Sequence, residues 1–314
     1  MGRCIERSHP RAPGTRLACV SLSLKTPPPL HAGSVVAVVA PSSGFDREEL
    51  FRGLAWLGTR YRLRADGRIL HRHGYLAGPD ASRADVLAAA MLDPEVEAIL
   101  CARGGYGAMR LLDALPWDAF VERPKRIVGF SDVTALHVEA AARGVSTVHG
   151  PNITGLGRRI SSAERASLIA ALEDGGLSPW TDLEVIVDGE ASGPVIGGNL
   201  ALVEAMAAAG RLVLPRGAIL VLEDVTERPY RIDRMLTSLL LGGHLARAGA
   251  IVFGQFTQCD PGPDGVTVEE VLRDRTRGLG VPVVARAPFG HGAPNHAFPL
   301  GREAVLRGGR LDWL

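Results

Sequence analysis

The sequence predicts an α/β protein in two parts, an N-terminal domain on a largely parallel sheet and a C-terminal domain of different build. Three observations carry that reading. Short apolar runs ending in glycine- or serine-bearing turns alternate with stretches of helical period, which is the strand–loop–helix word of a parallel sheet. A chain of 314 residues, 46% of them apolar, has enough material to fill one large core or two smaller ones. Between Gly175 and Gly193 the rhythm breaks into Gly175-Gly176, Pro179, Asp188-Gly189-Glu190 and Gly193-Pro194, turn chemistry that suits a crossing between domains.

Residues 1–32 differ in composition from the rest of the chain. Arg, Pro and Ser dominate them, Pro27-Pro28-Pro29 precedes the first strand, and no apolar periodicity is present. They are expected to be a disordered extension, or the product of a start site placed too early, adding nothing to folding. Leu17 to Leu24 is mildly apolar, but serines interrupt it and no A-x-A site follows, which speaks against a secretory signal.

The N-terminal domain is expected over 33–180. Its first strand is Val35 to Val39, running into Ala40-Pro-Ser-Ser-Gly44. The second unit goes from Val96-Glu-Ala-Ile-Leu-Cys101 through the turn Arg103-Gly104-Gly105-Tyr106-Gly107 into a helix over Ala108 to Ala114. The third is Arg126-Ile-Val-Gly-Phe130 followed by Ser131-Asp132 and a helix with Val133, Leu136, His137 and Ala140 on one side, ended by Gly144. A linker is expected over 181–192 and the C-terminal domain over 193–314. There Gly197-Gly198-Asn199 opens an alanine-rich helix, and a strand over Ala218 to Leu222 ends in Glu223-Asp224. Tyr230 to Leu241 has an apolar helical stripe, Ala250 to Phe253 is a strand, and Thr267-Val-Glu-Glu270 reads as a capping box. The strand Val281 to Val284 and the loop Phe289-Gly290-His291-Gly292 close the series.

Composition narrows the function. Lys and Arg number 35 against 34 Asp and Glu, a formal charge of +1, and no basic stripe interleaved with aromatics is present, so nucleic acid is not an expected partner. No apolar run approaches the ~20 residues that cross a bilayer, so no membrane partner is expected. The four cysteines, Cys4, Cys19, Cys101 and Cys259, have no C-x-x-C spacing, which suits neither a disulfide framework nor a cysteine zinc site and fits a reducing cytoplasm. His71 with His73, or His291 with His296, lack the carboxylate or cysteine that would complete a metal site. Cys101 reads as a core thiol.

Ser131 is the most informative residue. A serine between an apolar strand and a helix projects its hydroxyl from the carboxyl edge of a sheet beside free helix-start N–H groups, the construction of a nucleophile with an oxyanion hole. The plainer alternative is that Ser131 or Asp132 caps the helix. The glycine turn at 103–107 fits neither the P-loop nor the G-x-G-x-x-G pattern. It suits an oxyanion hole, an anion cradle or an ordinary tight turn. Glu223, after an apolar strand, needs a partner, either a histidine N–H or one of Arg228, Arg231 and Arg234. His291 lies in a glycine-flanked loop where an imidazole can move protons or simply face solvent.

Taken together, Ala102-Arg-Gly-Gly-Tyr-Gly107, Gly129-Phe-Ser-Asp132, Gly197-Gly-Asn-Leu200, Leu222-Glu-Asp224 with Pro229-Tyr-Arg-Ile-Asp-Arg234, and Gly290-His291 resemble the LD-carboxypeptidase family, the murein tetrapeptide carboxypeptidases. Val38-Val-Ala-Pro-Ser-Ser-Gly44 and Tyr75-Leu-Ala-Gly78 belong to the same resemblance, which runs from about Ser34 to the C-terminus. It implies a smaller C-terminal domain with the active site at the domain interface. It also implies a Ser–Glu–His triad of Ser131, Glu223 and His291, and an oxyanion hole from the main-chain N–H groups of Gly105 and Asp132. No metal and no cofactor are implied. The expected assembly is a cytoplasmic homodimer, and the expected substrate is a small muropeptide from which the terminal D-alanine is released through an acyl-enzyme. Two rivals stand beside that reading: a microcin C immunity-type hydrolase of aminoacyl-nucleotide amides, and a catalytically silent muropeptide-binding module.

Overall fold

The computed structural model describes residues 24–158 and 160–314. The first half of the chain alternates strands and helices: β1 (Val35–Val39), α1 (Arg47–Leu57), β2 (Arg62–Ala65), α2 (Asp80–Leu92), β3 (Ala98–Cys101), α3 (Trp117–Glu122), β4 (Arg126–Gly129), α4 (Thr134–Ala142) and β5 (Thr147–His149). Two helices come next, α5 (Ile153–Leu156) and α6 (Ser162–Leu172). The second half contains β6 (Glu184–Val187), β7 (Glu190–Asn199), α7 (Leu200–Ala208), β8 (Ile219–Val225), α8 (Pro229–Leu241), β9 (Ala250–Thr257), α9 (Val268–Thr276) and β10 (Val283–Ala285). It ends with β11 (Phe298–Leu300), β12 (Glu303–Arg307) and β13 (Arg310–Trp313).

These strands form two sheets. The first has the order β11-β5-β4-β3-β1-β2, parallel throughout except that β11 lies antiparallel on β5, with Phe298 opposite His149. Strands β1, β3 and β4 are buried along their whole length, as expected of a sheet covered on both faces. Sequence order reverses between β1 and β3, so the turns after these strands open a crevice at the carboxyl edge, the usual ligand position in open α/β sheets. The second sheet has the order β13-β12-β7-β8-β9-β10-β6. Its β7, β8, β9 and β10 are parallel neighbours, whereas β6 and β12 pair antiparallel with β10 and β7.

Helix α4 is the seam between the sheets. Every residue from Thr134 to Ala141 is buried, the mark of a helix covered all round. On the far side lie α7 and β7: Asn199 N–H donates to Thr134 Oγ1 at 3.0 Å, and Arg211 reaches Glu139 of α4 at 3.1 Å. A Cβ at Gly198 would stand 2.6 Å from Thr134 Oγ1, so only glycine lets β7 approach this closely.

Three expectations are corrected. Within the segment expected to be disordered, residues 24–32 are packed: Lys25 bridges to Val145, and Leu30 is buried. Arg126, itself buried, donates to the Pro27 and Pro28 carbonyls. The triple proline precludes helix but leaves carbonyls free, and a buried guanidinium needs acceptors. Residues 1–23 lie outside the described residues. The expected linker over 181–192 contains β6 and the start of β7, because its alternating Val185, Ile186 and Val187 pair with β10. The C-terminal region also returns β11 to the first sheet, so that sheet is not contiguous in sequence. Elsewhere, the stretch expected as a helix over Ala108–Ala114 is 3-10 helix, and the capping box at Thr267 is present with both of its hydrogen bonds.

Candidate active site

The turn after β4 departs from ordinary backbone. Phe130 is extended, and Ser131 comes next with φ 64°, a left-handed conformation that is uncommon outside glycine and concentrates at functional turns. Ser131–Val133 then form one 3-10 turn that leads into α4. Neither expected capping role is adopted. Ser131 Oγ points out toward His291, while the Asp132 carboxylate turns inward and is 1% exposed.

Ser131, His291 and Glu223 meet in one line although 160 and 68 residues separate the partners. His291 Nδ1 lies 2.7 Å from Glu223 Oε2, and His291 Nε2 lies 3.0 Å from Ser131 Oγ. A carboxylate only accepts, so Nδ1 carries the proton and donates to Glu223, which leaves Nε2 to accept from the serine hydroxyl. Glu223 is fully buried and the His291 side chain is 18% exposed. The acid is therefore shielded from water while the imidazole keeps an open edge.

Glu223 lies within β8 rather than at its end, as expected from sequence. The register of β8 against β9 shifts between Leu222 and Asp224, a bulge of the kind that re-aims a side chain. Asn199, opposite Glu223 in the ladder, caps α7 through Oδ1 on Leu202 N–H and offers Nδ2 to Asp224 at 3.1 Å and to Glu223 at 3.4 Å. Burial pushes the Asp224 carboxyl up to about 6, although Val225 N–H, Asn199 and Ala201 N–H all donate to it. Two of the three arginines expected as alternative partners point elsewhere: Arg228 to the carbonyls of Asp260 and Pro261, and Arg231 to Glu227 and Tyr230.

The His291 loop is held from behind. Gly290 has φ 132°, and a Cβ there would come 3.2 Å from Glu223 Oε2. Its N–H donates to Asn295 Oδ1, and Asn295 N–H donates to Glu164 at the start of α6. The Phe130 ring lies 4.8 Å from the imidazole and 5.8 Å from His149. His149 is fully buried, stacked on Phe298, and burial pushes it down to about 3.

The glycine turn 103–107 closes the site from the β3 side. A Cβ on Gly104 would lie 2.8 Å from Ser131 Cβ and 3.0 Å from its Oγ, whereas one on Gly105 would meet Ser43. Gly104 is thus the close approach, and the Gly105 amide expected as an oxyanion donor is the next peptide along. Asp132 Oδ2 accepts from Ser42 Oγ at 2.6 Å and from Ala108 N–H at 2.8 Å. Sequence reasoning missed the Asp132 side chain, Asn199, Asp224 and Asn295 as parts of the site. Two adjacent acids at the end of an apolar strand were the one available signal for Asp224.

His71 and His73 are exposed and His296 is half-buried. Among the described residues no group of three or more His, Cys, Asp and Glu is placed to hold a metal ion. Cys101 is buried in the core and burial pushes its thiol up. No helix among the described residues is long and apolar enough to cross a membrane.

Residues 36–150 match the family described as LD-carboxypeptidase N-terminal domain, and residues 192–306 the one described as LD-carboxypeptidase C-terminal domain. The murein tetrapeptide carboxypeptidase of Pseudomonas aeruginosa is 37% identical over 295 residues, covering 88% of this chain and 94% of that protein. The crystal structure of muramoyltetrapeptide carboxypeptidase from Oxalobacter formigenes superposes with a TM-score of 0.80 at 27% identity, covering 88% of this chain and 97% of that one. The microcin C7 self-immunity protein of Escherichia coli is 24% identical, covering 88% of this chain and 92% of that protein.

Proposed function

The chain belongs to the LD-carboxypeptidase family and is a peptidase, and from that premise we propose that it releases the terminal D-alanine of muropeptide tetrapeptides by a serine mechanism. What carries the reading is the unbroken hydrogen-bond line Ser131–His291–Glu223, at 3.0 and 2.7 Å, within the reach required of a nucleophile, its base and an orienting acid.

In that mechanism Ser131 Oγ attacks the carbonyl of the penultimate residue, meso-diaminopimelate, as its proton passes to His291 Nε2. Glu223 holds the imidazole in the required tautomer and stabilises the imidazolium. The negative charge on the carbonyl oxygen is taken by main-chain N–H groups of Gly105 and Asp132, fixed dipoles that need no reorganisation. Collapse of the tetrahedral intermediate breaks the C–N bond, and His291 returns its proton to the departing D-alanine amine. Water, deprotonated by His291, then attacks the acyl-serine ester; the ester C–O bond breaks, Ser131 regains its proton, and the shortened muropeptide leaves. Such a reaction suits a cytoplasmic enzyme of cell-wall turnover, acting as a homodimer.

A second reading has one observation in its favour. Tyr106 of the glycine turn and Tyr75 are both exposed, with ring centroids 5.8 Å apart, and exposed aromatic faces of this kind can stack on a nucleobase. That would suit an acyl-nucleotide substrate. Release of D-alanine from a muramyl tetrapeptide, measured beside hydrolysis of an aminoacyl sulfamoyl adenosine, separates the two. Preferential D-alanine release is expected, preferential cleavage of the nucleotide substrate favours the rival, and cleavage of neither favours a silent binding module.

A further inference from the structure

We propose that the buried Asp132 carboxylate is a positioning residue, which sets the glycine turn for oxyanion binding by holding Ala108 N–H and Ser42 on a single oxygen. The inference rests on the proposed serine mechanism and adds to it a residue that touches neither substrate nor the reacting atoms through its side chain.

Three sheet-edge turns converge on that oxygen. Ser42 follows β1, Ala108 closes the turn after β3, and Asp132 itself begins the turn after β4. Oδ2 accepts from the first at 2.6 Å and from the second at 2.8 Å. The carboxylate is 1% exposed, and among the described residues Oδ1 has no hydrogen-bond partner. Burying a carboxylate this far is costly. Holding Ser42 alone would need only a neutral acceptor, so the cost implies a position that demands strong acceptance.

The glycine turn supplies the reason. Gly104 and Gly105 have no side chains with which to anchor themselves, and Gly105 and Gly107 have φ of 102° and 131°, freedom that favours alternative conformations. An oxyanion donor is effective only if its N–H is already aimed at the developing charge. Within the turn, Ser43 N–H donates to the Gly104 carbonyl at 3.2 Å and Tyr106 N–H donates to Ser43 Oγ at 3.1 Å. Asp132 fixes its far end through Ala108.

Arg83 holds the same turns from the other side. Its guanidinium, on α2 and 1% exposed, donates to the carbonyls of Pro41, Gly78 and Gly107 and pairs with Asp80. The residues before Ser42 and before Ala108 are thus anchored by a buried guanidinium, while Ser42 and Ala108 themselves are anchored by the Asp132 carboxyl oxygen. The peptide that carries the Asp132 N–H and the one at Gly105 become parts of one rigid unit, although they belong to turns 27 residues apart in sequence.

The test reads the oxyanion pocket without depending on the natural substrate. A fluorophosphonate phosphonylates the serine with loss of fluoride, and its P=O oxygen occupies the oxyanion position during attack. Labelling rates at Ser131 are measured for wild type, Asp132→Ala, Asp132→Asn and Ser42→Ala, with kcat, KM for D-alanine release and Tm on the same samples. Asp132→Ala is expected to slow labelling and kcat by about a hundredfold with KM changed less than about twofold, since donors aimed at the transition state are lost and ground-state binding is not. Asp132→Asn keeps an oxygen for both donors and should recover at least about tenfold of that loss. Ser42→Ala should cost a few-fold in kcat, again at unchanged KM.

Folded Asp132→Ala labelled at the wild-type rate overturns the inference. So does an Asp132→Asn protein as slow as Asp132→Ala, or a loss that falls on KM and Tm alone. If Asp132→Ala does not fold, undiminished labelling of both Ser42→Ala and Asp132→Asn overturns it, and slowed labelling of Ser42→Ala at unchanged KM supports it. Wild-type protein not labelled at Ser131 removes the serine mechanism itself, and the inference with it.

Discussion

After β4 the proposed nucleophile Ser131 is held by backbone, whereas its proposed partners Glu223 and His291 are held largely by side chains. Ser131 owes its direction to a left-handed φ of 64° and to glycine backbone packed against it. Glu223 and His291 owe theirs to a strand bulge, to Asn199 and to Asn295. The two modes fail differently. A site set by close backbone approach breaks when atoms are added, and one set by side-chain contacts breaks when polar atoms are removed.

That contrast orders the expected effects. Ser131→Ala removes the proposed nucleophile and should lower kcat for D-alanine release by about 10⁶-fold, while affinity for the shortened muropeptide stays near wild type. Glu223→Gln leaves nucleophile and imidazole in place but disturbs the tautomer, and about 10⁴-fold is expected. Equal losses in the two variants, measured in one assay, would show that the acid does more than orient the ring.

Gly104→Ala tests the backbone-held half directly. Its methyl would sit 2.8 Å from Ser131 Cβ and 3.0 Å from Oγ, closer than non-bonded carbons tolerate, so the serine turn or the glycine turn must move. A displacement of about 1 Å is enough to cost roughly 10²-fold in rate. A variant with wild-type kcat would show that the glycine turn does not pack against the serine.

Away from the site, the same half depends on residues 24–32. Leu30 is 4% exposed in the first core, and Leu30→Ala should lower unfolding stability by about 2–4 kcal/mol. Turnover well below Tm should be unchanged. A thermal melt matching wild type would mean that the segment is not docked in solution.

The smallest effect is a pH dependence from a buried histidine at the end of β5, in the first sheet. Burial pushes His149 from the usual 6.5 down to about 3, so between these values the unfolded chain takes up a proton that the folded chain refuses. Stability therefore falls as pH drops below about 6.5 and levels off near 3. His149→Phe keeps a ring against Phe298 and should flatten part of that slope in denaturant titrations. A residual slope is expected because burial also pushes His137 down to about 4. An unchanged slope would assign the acid lability to other groups.

Much of this architecture is written in local pattern. Val35 to Val39 is apolar without interruption and bounded by turn residues, and it is a buried parallel strand. Thr267 and Glu270 form the capping box that their spacing announces. Ser131, Glu223 and His291 stand out once the motifs around them are recognised: Ser131 follows β4, Glu223 follows an apolar run, and His291 lies in a glycine-flanked loop. Local pattern does not announce what depends on neighbours far along the chain. Residues 24–32 read as disordered because their anchor is Arg126, about a hundred residues away. The stretch around Val185 reads as a linker because its partner β10 lies about a hundred residues on, at Val283 to Ala285.

By itself, then, the sequence determined the strand–turn–helix units, the glycine positions that permit close approach, and the residue types available at each sheet edge, since these follow from short-range sterics and periodicity. Tertiary structure alone decided that β11 closes the first sheet, that α4 is covered on every side, and that the Asp132 carboxylate turns inward to Ser42 and Ala108. The physical reason is that burial and hydrogen-bond pairing are properties of the assembled surroundings. A carboxylate beside a helix start is a cap in one environment and an anchor in another, and which of the two it becomes depends on the donors that the folded chain brings within about 3 Å.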